Sequence, residues 1–227
     1  KPMEQLVNEA KALVRDGIKE IMLIAQDSTF YGIDLYGERK LAELMDRLSD
    51  VEGLDWIRLH YAYPSKFPFD VLPIINSKPN ICKYLDIPIQ HISDNVLKSM
   101  RRGITKRRTE EVLDRIRSEV DNIALRTTLL VGHPGEYDQD FEELKDFVNR
   151  YQFNRLGVFT YSHEDGTHAG TLEDHVSQEI KSARADEIMG IQHDISFAHN
   201  QKLIGSTQKV IIDRIEGDSY IGRTQFD

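Results

Sequence analysis

The chain has 227 residues, with 29 Lys and Arg against 38 Asp and Glu, giving a formal net charge of −9. That balance disfavours generic nucleic-acid binding and leaves room for a basic partner. The longest apolar run, IMLIA at residues 21–25, is far short of the roughly 20 residues of a membrane span, and the charged opening KPMEQLVNEAK does not read as a signal peptide. One cysteine, Cys82, excludes an internal disulfide and any multi-thiolate site built by this chain alone. The length suits one large domain or one domain and a fragment, and the composition suits a cytoplasmic protein.

Met3, Leu6, Val7, Ala10, Leu13 and Val14 repeat at helical spacing, with Gly17 as C-cap. Residues 19–25 (KEIMLIA) read as a strand, Leu41, Leu44, Met45 and Leu48 as a helix, and residues 55–61 (DWIRLHY) as a second strand. Phe69, Val71, Leu72 and Ile75 predict a short helix ahead of a strand over 83–89, with Cys82 just before it as an inert residue. Ser93 is the expected N-cap of a helix through Arg101, and Thr105 or Thr109 opens another through Glu119. Residues 123–131 form the longest strand, Asp138 caps a helix through Tyr151, and 155–161 is a fifth strand. A long helix from about Ser177 to Leu203 stops at Gly205. Strand and helix in rotation imply parallel strands with right-handed crossovers, hence an α/β sheet or barrel.

A βα repeat opens on a strand, so the helix at the start predicts a missing strand before it. After Gly205 the pattern becomes a hairpin, QKVIIDRI and YIGRTQF around Glu216-Gly217-Asp218. Two strands alone are marginal in water, so the hairpin leans on the main domain or begins a second one. The second option is favoured, with domains at 1–205 and 206–227.

In parallel βα proteins the reactive face lies at the carboxyl ends of the strands. The polar stretches Gln26-Asp27-Ser28-Thr29, His60-Tyr61, Gln90-His91, Gly132-His133-Pro134-Gly135-Glu136 and Tyr161-Ser162-His163-Glu164-Asp165-Gly166 follow strands. Loops are polar in any protein, yet five on one rim point to a substrate cleft. In GHPGE the glycines give either a tight turn or close approach of a ligand to the backbone. Among the eight histidines, His60, His91, His133 and His163 follow different strands and could converge on a metal, with Asp27 or Glu164, as in a metal-dependent hydrolase. The run KSMRRGITKRR at 98–108 has six basic residues and no acid, which suits a solvated helix end or a bound carboxylate or phosphate.

The segments EIMLIAQDSTFYG (20–32), WIRLHYAYP (56–64), YLDIPIQHISDNVLKSMRRG (84–103), LRTTLLVGHPGE (125–136) and YSHEDGTHA (161–169) together resemble the radical S-adenosylmethionine methylthiotransferases. The resemblance runs through the whole chain and is strongest to the branch that methylthiolates an aspartate β-carbon of a small-subunit ribosomal protein. It implies a partial, TIM-like (β/α) barrel of the radical SAM type, and its tail is similar to the start of a C-terminal β-barrel, the TRAM domain.

The family holds one [4Fe–4S] cluster on a Cys-x-x-x-Cys-x-x-Cys motif after the first strand, and a second cluster in an N-terminal domain. Neither set of cysteines occurs here, so the resemblance implies a truncated, inactive piece that ligates no cluster or other metal. It implies S-adenosylmethionine contacts at Gln90 for the ribose, Arg102 for the methionine carboxylate, and Thr128 for the ribose or amine. Val131, Gly132, His133 and Pro134 would lie along the adenine, and Gln26, Asp27 and Ser28 replace the family's usual amine-binding residues. Tyr161 and Ser162 complete the set. The resemblance also implies hydrogen abstraction by a 5′-deoxyadenosyl radical, a basic ribosomal protein as partner, a monomer, no membrane, and nucleic acid met only through the ribosome. The alternative is the tRNA-modifying MiaB type, in which LPVQSGS stands where residues 85–93 read LDIPIQHIS.

Overall fold

A computed structural model describes residues 1–226; Asp227, the last position of the expected second domain, lies outside the described residues. Two units group by contact: Lys1–Asp86 with Asp114–Ala124 and the segment from Ser206, and Ile87–Leu113 with Leu125–Gly205.

The first unit carries α1 (Met3–Arg15), β1 (Glu20–Leu23), α2 (Ile33–Tyr36), α3 (Leu41–Ser49), β2 (Trp56–Leu59), α4 (Val71–Ser77) and β3 (Ile81–Asp86). The three strands run parallel in chain order, Glu20 opposite Trp56 and Ile57 opposite Ile81. Helical spacing decides which residues turn inward: α1 buries Met3, Val7 and Ala10, and α3 buries Leu41, Leu44, Met45 and Leu48. β3 starts earlier than the sequence suggests and takes Cys82 into the strand, where it packs with Trp56, Tyr84 and Ala124. The strand also ends earlier, at Asp86 rather than 89, because Pro88 has no N–H to continue a ladder.

The hairpin of β6 (Val210–Glu216) and β7 (Ser219–Thr224) is antiparallel, as its turn residues indicate. It shares the first unit: Ile211 and Phe226 cover the Trp56 cluster, and the Arg58 guanidinium donates to the carbonyls of Thr224 and Gln225 at 3.2 and 3.1 Å. Two strands cannot bury their own face, and here the hairpin leans on the three-stranded unit.

The second unit carries α5 (Asp94–Ser99), most of α6 (Lys106–Glu119), β4 (Ala124–Val131), α7 (Asp138–Tyr151), β5 (Arg155–Thr160) and α8 (Gln178–Leu203). β4 and β5 are parallel, with Thr128 opposite Gly157 and Leu130 opposite Phe159. Residues 87–90 run beside β4 as a broken strand: Ile87 N–H donates to Arg126 and Gln90 N–H to Thr128, while Leu130 N–H donates to Gln90. Asp138 does not cap α7. It is the helix's first residue: the N-cap is Tyr137, whose N–H donates to the Asp140 carboxylate at 3.0 Å, while Asp138 pairs with Arg184. Along α8 the buried positions are Lys181, Arg184, Ile188, Gln192 and Ile195, a single face three and four residues apart with three polar members. No described helix is long and apolar enough to cross a membrane.

Candidate functional site

β4 alternates: Thr127, Leu129 and Val131 are buried, whereas Arg126, Thr128 and Leu130 are half-buried on the opposite face. Thr128 is therefore a hydroxyl on the more open face, and the Gln90 backbone is hydrogen-bonded to its carbonyl at 2.8 Å. Gln90 has a left-handed backbone, φ +73°, in a half-buried position. A non-glycine residue there is strained, a feature that concentrates at ligand sites. Arg102 donates to the carbonyl of Pro88 at 2.7 Å, which sets its guanidinium against the residues just before Gln90. Arg102 thus lies against Pro88, and the Gln90 backbone against Thr128 of β4.

The segment 132–136 is a turn whose hub is Glu136. Its Oε2 accepts the N–H groups of Gly132 at 2.7 Å and His133 at 3.4 Å, and its Oε1 accepts from Arg184 at 2.7 Å. Burial pushes the Glu136 carboxyl up, and Arg184 with the two N–H groups pulls it back. Arg184 also pairs with Asp138 at 2.7 Å. Gly132 and Gly135 have φ +74° and +91°, which glycine adopts freely. The close approach expected at Gly132 comes from within the chain: a Cβ there would lie 2.3 Å from Cγ of Lys181.

His91 is fully buried and its pKa is pushed down to about 3, chiefly by burial. The neutral ring accepts the Ser93 N–H on Nδ1 at 3.0 Å, so the proton sits on Nε2, 3.7 Å from Glu136. The Ser93 hydroxyl is bonded to Asp140 rather than to the first turn of α5. His133 Nδ1 lies 2.8 Å from the Pro134 carbonyl, and its ring meets Tyr161 edge-on at 5.4 Å. Tyr161 is buried with its hydroxyl unpartnered among the described residues, and Ser162 begins an exposed loop.

In the first unit, Asp27 accepts from Thr29 N–H and hydroxyl at 3.0 and 2.6 Å, and the Ser28 hydroxyl donates to the His60 carbonyl at 2.8 Å. Gln26 is exposed. Asp27 and Ser28 thus stitch the loop after β1 to the loop after β2. Ser28 also lines an apolar groove of about 460 Å³ with Leu6, Leu13, Met22 and Leu44.

The histidine-rim reading fails on geometry. His91 and His133 are engaged within the turn, and His163 is an exposed neighbour of Asp165. No group of three His, Cys, Asp or Glu among the described residues could hold a metal ion. Cys82 is 1% exposed and burial pushes its thiol up to about 11, the opposite of a cluster-ligating thiolate. Nor is the basic run at 98–108 open throughout: Lys106 pairs with Glu143 and Arg108 with Glu111.

Sequence reasoning passed over Lys181 and Arg184. Their signal was present, as two cations three apart on one face of α8, but nothing in the sequence says that face is buried.

The Radical SAM superfamily model matches residues 1–148. The chain is 55% identical over its whole length to the ribosomal protein uS12 methylthiotransferases RimO of Porphyromonas gingivalis and Flavobacterium johnsoniae, covering 52% of each. It therefore spans about half the length of these curated relatives. Its fold is similar to Escherichia coli coproporphyrinogen III oxidase (HemN), a radical SAM enzyme, with TM-score 0.63, 15% identity, and 85% of this chain and 46% of that one covered. The methyltransferase TsrM of Kitasatospora setae gives TM-score 0.58 at 17% identity, over 75% of this chain and 33% of that one. Parallel strands alternating with helices along the chain and a family match over most of the length agree, and the chain belongs to the radical SAM superfamily.

Proposed function

We propose that this chain is the barrel core of a radical S-adenosylmethionine methylthiotransferase that modifies an aspartate of the small-subunit ribosomal protein uS12. The observation that carries the reading is 55% identity, sustained over the whole chain, to enzymes of that name. Membership in the superfamily implies S-adenosylmethionine and a [4Fe–4S] cluster. The residues described here suit the first and not the second. Cys82 is buried and protonated, so we place the ligands of both clusters in the part of the protein beyond this chain.

When bound, S-adenosylmethionine supplies radical chemistry able to attack an unactivated C–H bond, which acid–base side chains cannot do. The chain's own work is to bind and orient. The guanidinium of Arg102, held against Pro88, would pair with the methionine carboxylate, for which a fixed planar cation is well suited. Gln90 and Thr128 offer polar groups beside each other for the ribose and amine, and Val131, Gly132, His133 and Pro134 a dry wall for the adenine. Tyr161 and Ser162 border that wall. The net charge of −9 favours encounter with a basic ribosomal protein. We also assign the hairpin from residue 206 to the start of a TRAM domain, and expect a cytoplasmic monomer that meets nucleic acid only through the ribosome.

The test uses the full-length enzyme with its clusters reconstituted, given S-adenosylmethionine and either uS12 or tRNA. Mass spectrometry should find one methylthio group on a uS12 aspartate. Modification of the tRNA instead would establish the sister activity.

A further inference from the structure

Lys181 occupies a place that disfavours a lysine. It lies in the first turn of α8, four residues after the N-cap Ser177, where the helix dipole opposes a cation, and it is 5% exposed. A methionine would fill the same space without a charge to compensate. What the charge achieves is visible in its surroundings. The ammonium donates to Asp174 Oδ2 at 2.5 Å and lies 4.9 Å above the ring of Tyr161. Its methylene stem fills the volume that a side chain at position 132 would need. One side chain therefore touches the turn after β4, the end of β5 and the loop that follows it.

Arg184, one helical turn later, holds Glu136 and Asp138 in the same manner. The start of α8 grips both loops at the carboxyl ends of β4 and β5.

We propose that Lys181 is a positioning residue that locks the Gly132 turn to the loop at 162–176, so that the two segments facing the nucleotide keep one geometry. The inference rests on the proposed reading that Gly132, Pro134 and Tyr161 face S-adenosylmethionine. Lys181 itself touches no substrate. It acts through the turn, by packing, and through Asp174, by charge.

The test is a double-mutant cycle of Lys181→Met and Asp174→Asn in the full-length, cluster-reconstituted enzyme. Methionine keeps the stem and removes the charge, while Asp174 sits in a partly exposed loop whose substitution leaves the core intact. Two quantities are measured: the cleavage rate at Glu164 and Glu173 by a glutamate-specific protease, and the dissociation constant of S-adenosylmethionine by equilibrium dialysis. Each single variant should raise cleavage and weaken binding about tenfold, the scale of a charged hydrogen bond. The double variant should be no worse than either single one, because both remove the same interaction. Wild-type cleavage and affinity in the single variants, or losses that add in the double, overturn the inference. A wild-type enzyme that binds no S-adenosylmethionine overturns the proposed function instead, and the cleavage rates still decide whether the lock exists.

Discussion

Each unit buries one arginine–carboxylate pair, and the two pairs serve different ends. In the first unit Arg58 and Glu20 are 1% and 7% exposed, 2.8 Å apart. In the second, Arg184 and Glu136 are 7% and 0% exposed, 2.7 Å apart. Both need extra hydrogen bonds to offset the loss of water around two ions. Arg58 finds them on the carbonyls of Thr224 and Gln225, and Glu20 gains Arg223 at 2.6 Å. Those partners all come from β7 and the residue after it, so the pair acts as an adhesive for the hairpin. Glu136 finds its extra bonds on Gly132 and His133, four and three residues back, so that pair shapes a single turn. Equal chemistry gives long-range cohesion in one place and local shape in the other, according to the sequence separation of the groups joined.

Arg58→Met breaks the contrast most strongly. It leaves two carbonyls and part of Glu20 without a donor, and a buried pair that loses one partner is destabilised by about 3–5 kcal/mol. Urea unfolding should show that loss, while the affinity of the folded full-length enzyme for S-adenosylmethionine stays unchanged.

Glu136→Gln should be milder in stability, about 2 kcal/mol by the same measurement, because the amide oxygen still accepts from the Gly132 N–H. It should weaken S-adenosylmethionine binding, since the turn loses its tie to Arg184. A variant that unfolds as readily as Arg58→Met with unaltered binding would erase the distinction between the pairs.

The smallest effect is a pH dependence confined to the second unit. Folded His91 takes a proton only near pH 3, while an unfolded histidine does so near 6.5. Between these values the unfolded state binds more protons, so stability falls as pH drops below about 6.5. By about pH 5.5 the loss is on the order of 1 kcal/mol, and His91→Gln should flatten that slope in an acid titration followed by circular dichroism.

The helical stripe of α1, the long strand ending at Val131, the Gly205 stop and the Gly217 turn were all readable, because each is a local consequence of side-chain period or backbone freedom. So was the strand-end location of the polar stretches. Strand ends and one cap were not: Pro88 ends β3 before the apolar pattern does, β1 and β2 stop at Leu23 and Leu59, and the N-cap of α7 is Tyr137, its N–H taken by Asp140. Of the site, Gln90, Arg102 and Thr128 were reached through motif resemblance, and the chain then places Arg102 against Pro88 and Gln90 against Thr128. The glycines at 132–136 were open to a tight turn or a close ligand approach, and at Gly132 the space beside the backbone is taken by Lys181.

Sequence alone determined the class of fold, the family and the polar stretches that follow the strands, since periodicity and motif order survive without coordinates. Only the tertiary structure decided which polar residues were buried together: Glu136 with Arg184, Lys181 with Asp174, Arg58 with Glu20. Those pairings depend on which helix face turns inward and which distant segment meets it. A linear sequence specifies the period of a face but not the neighbour it packs against.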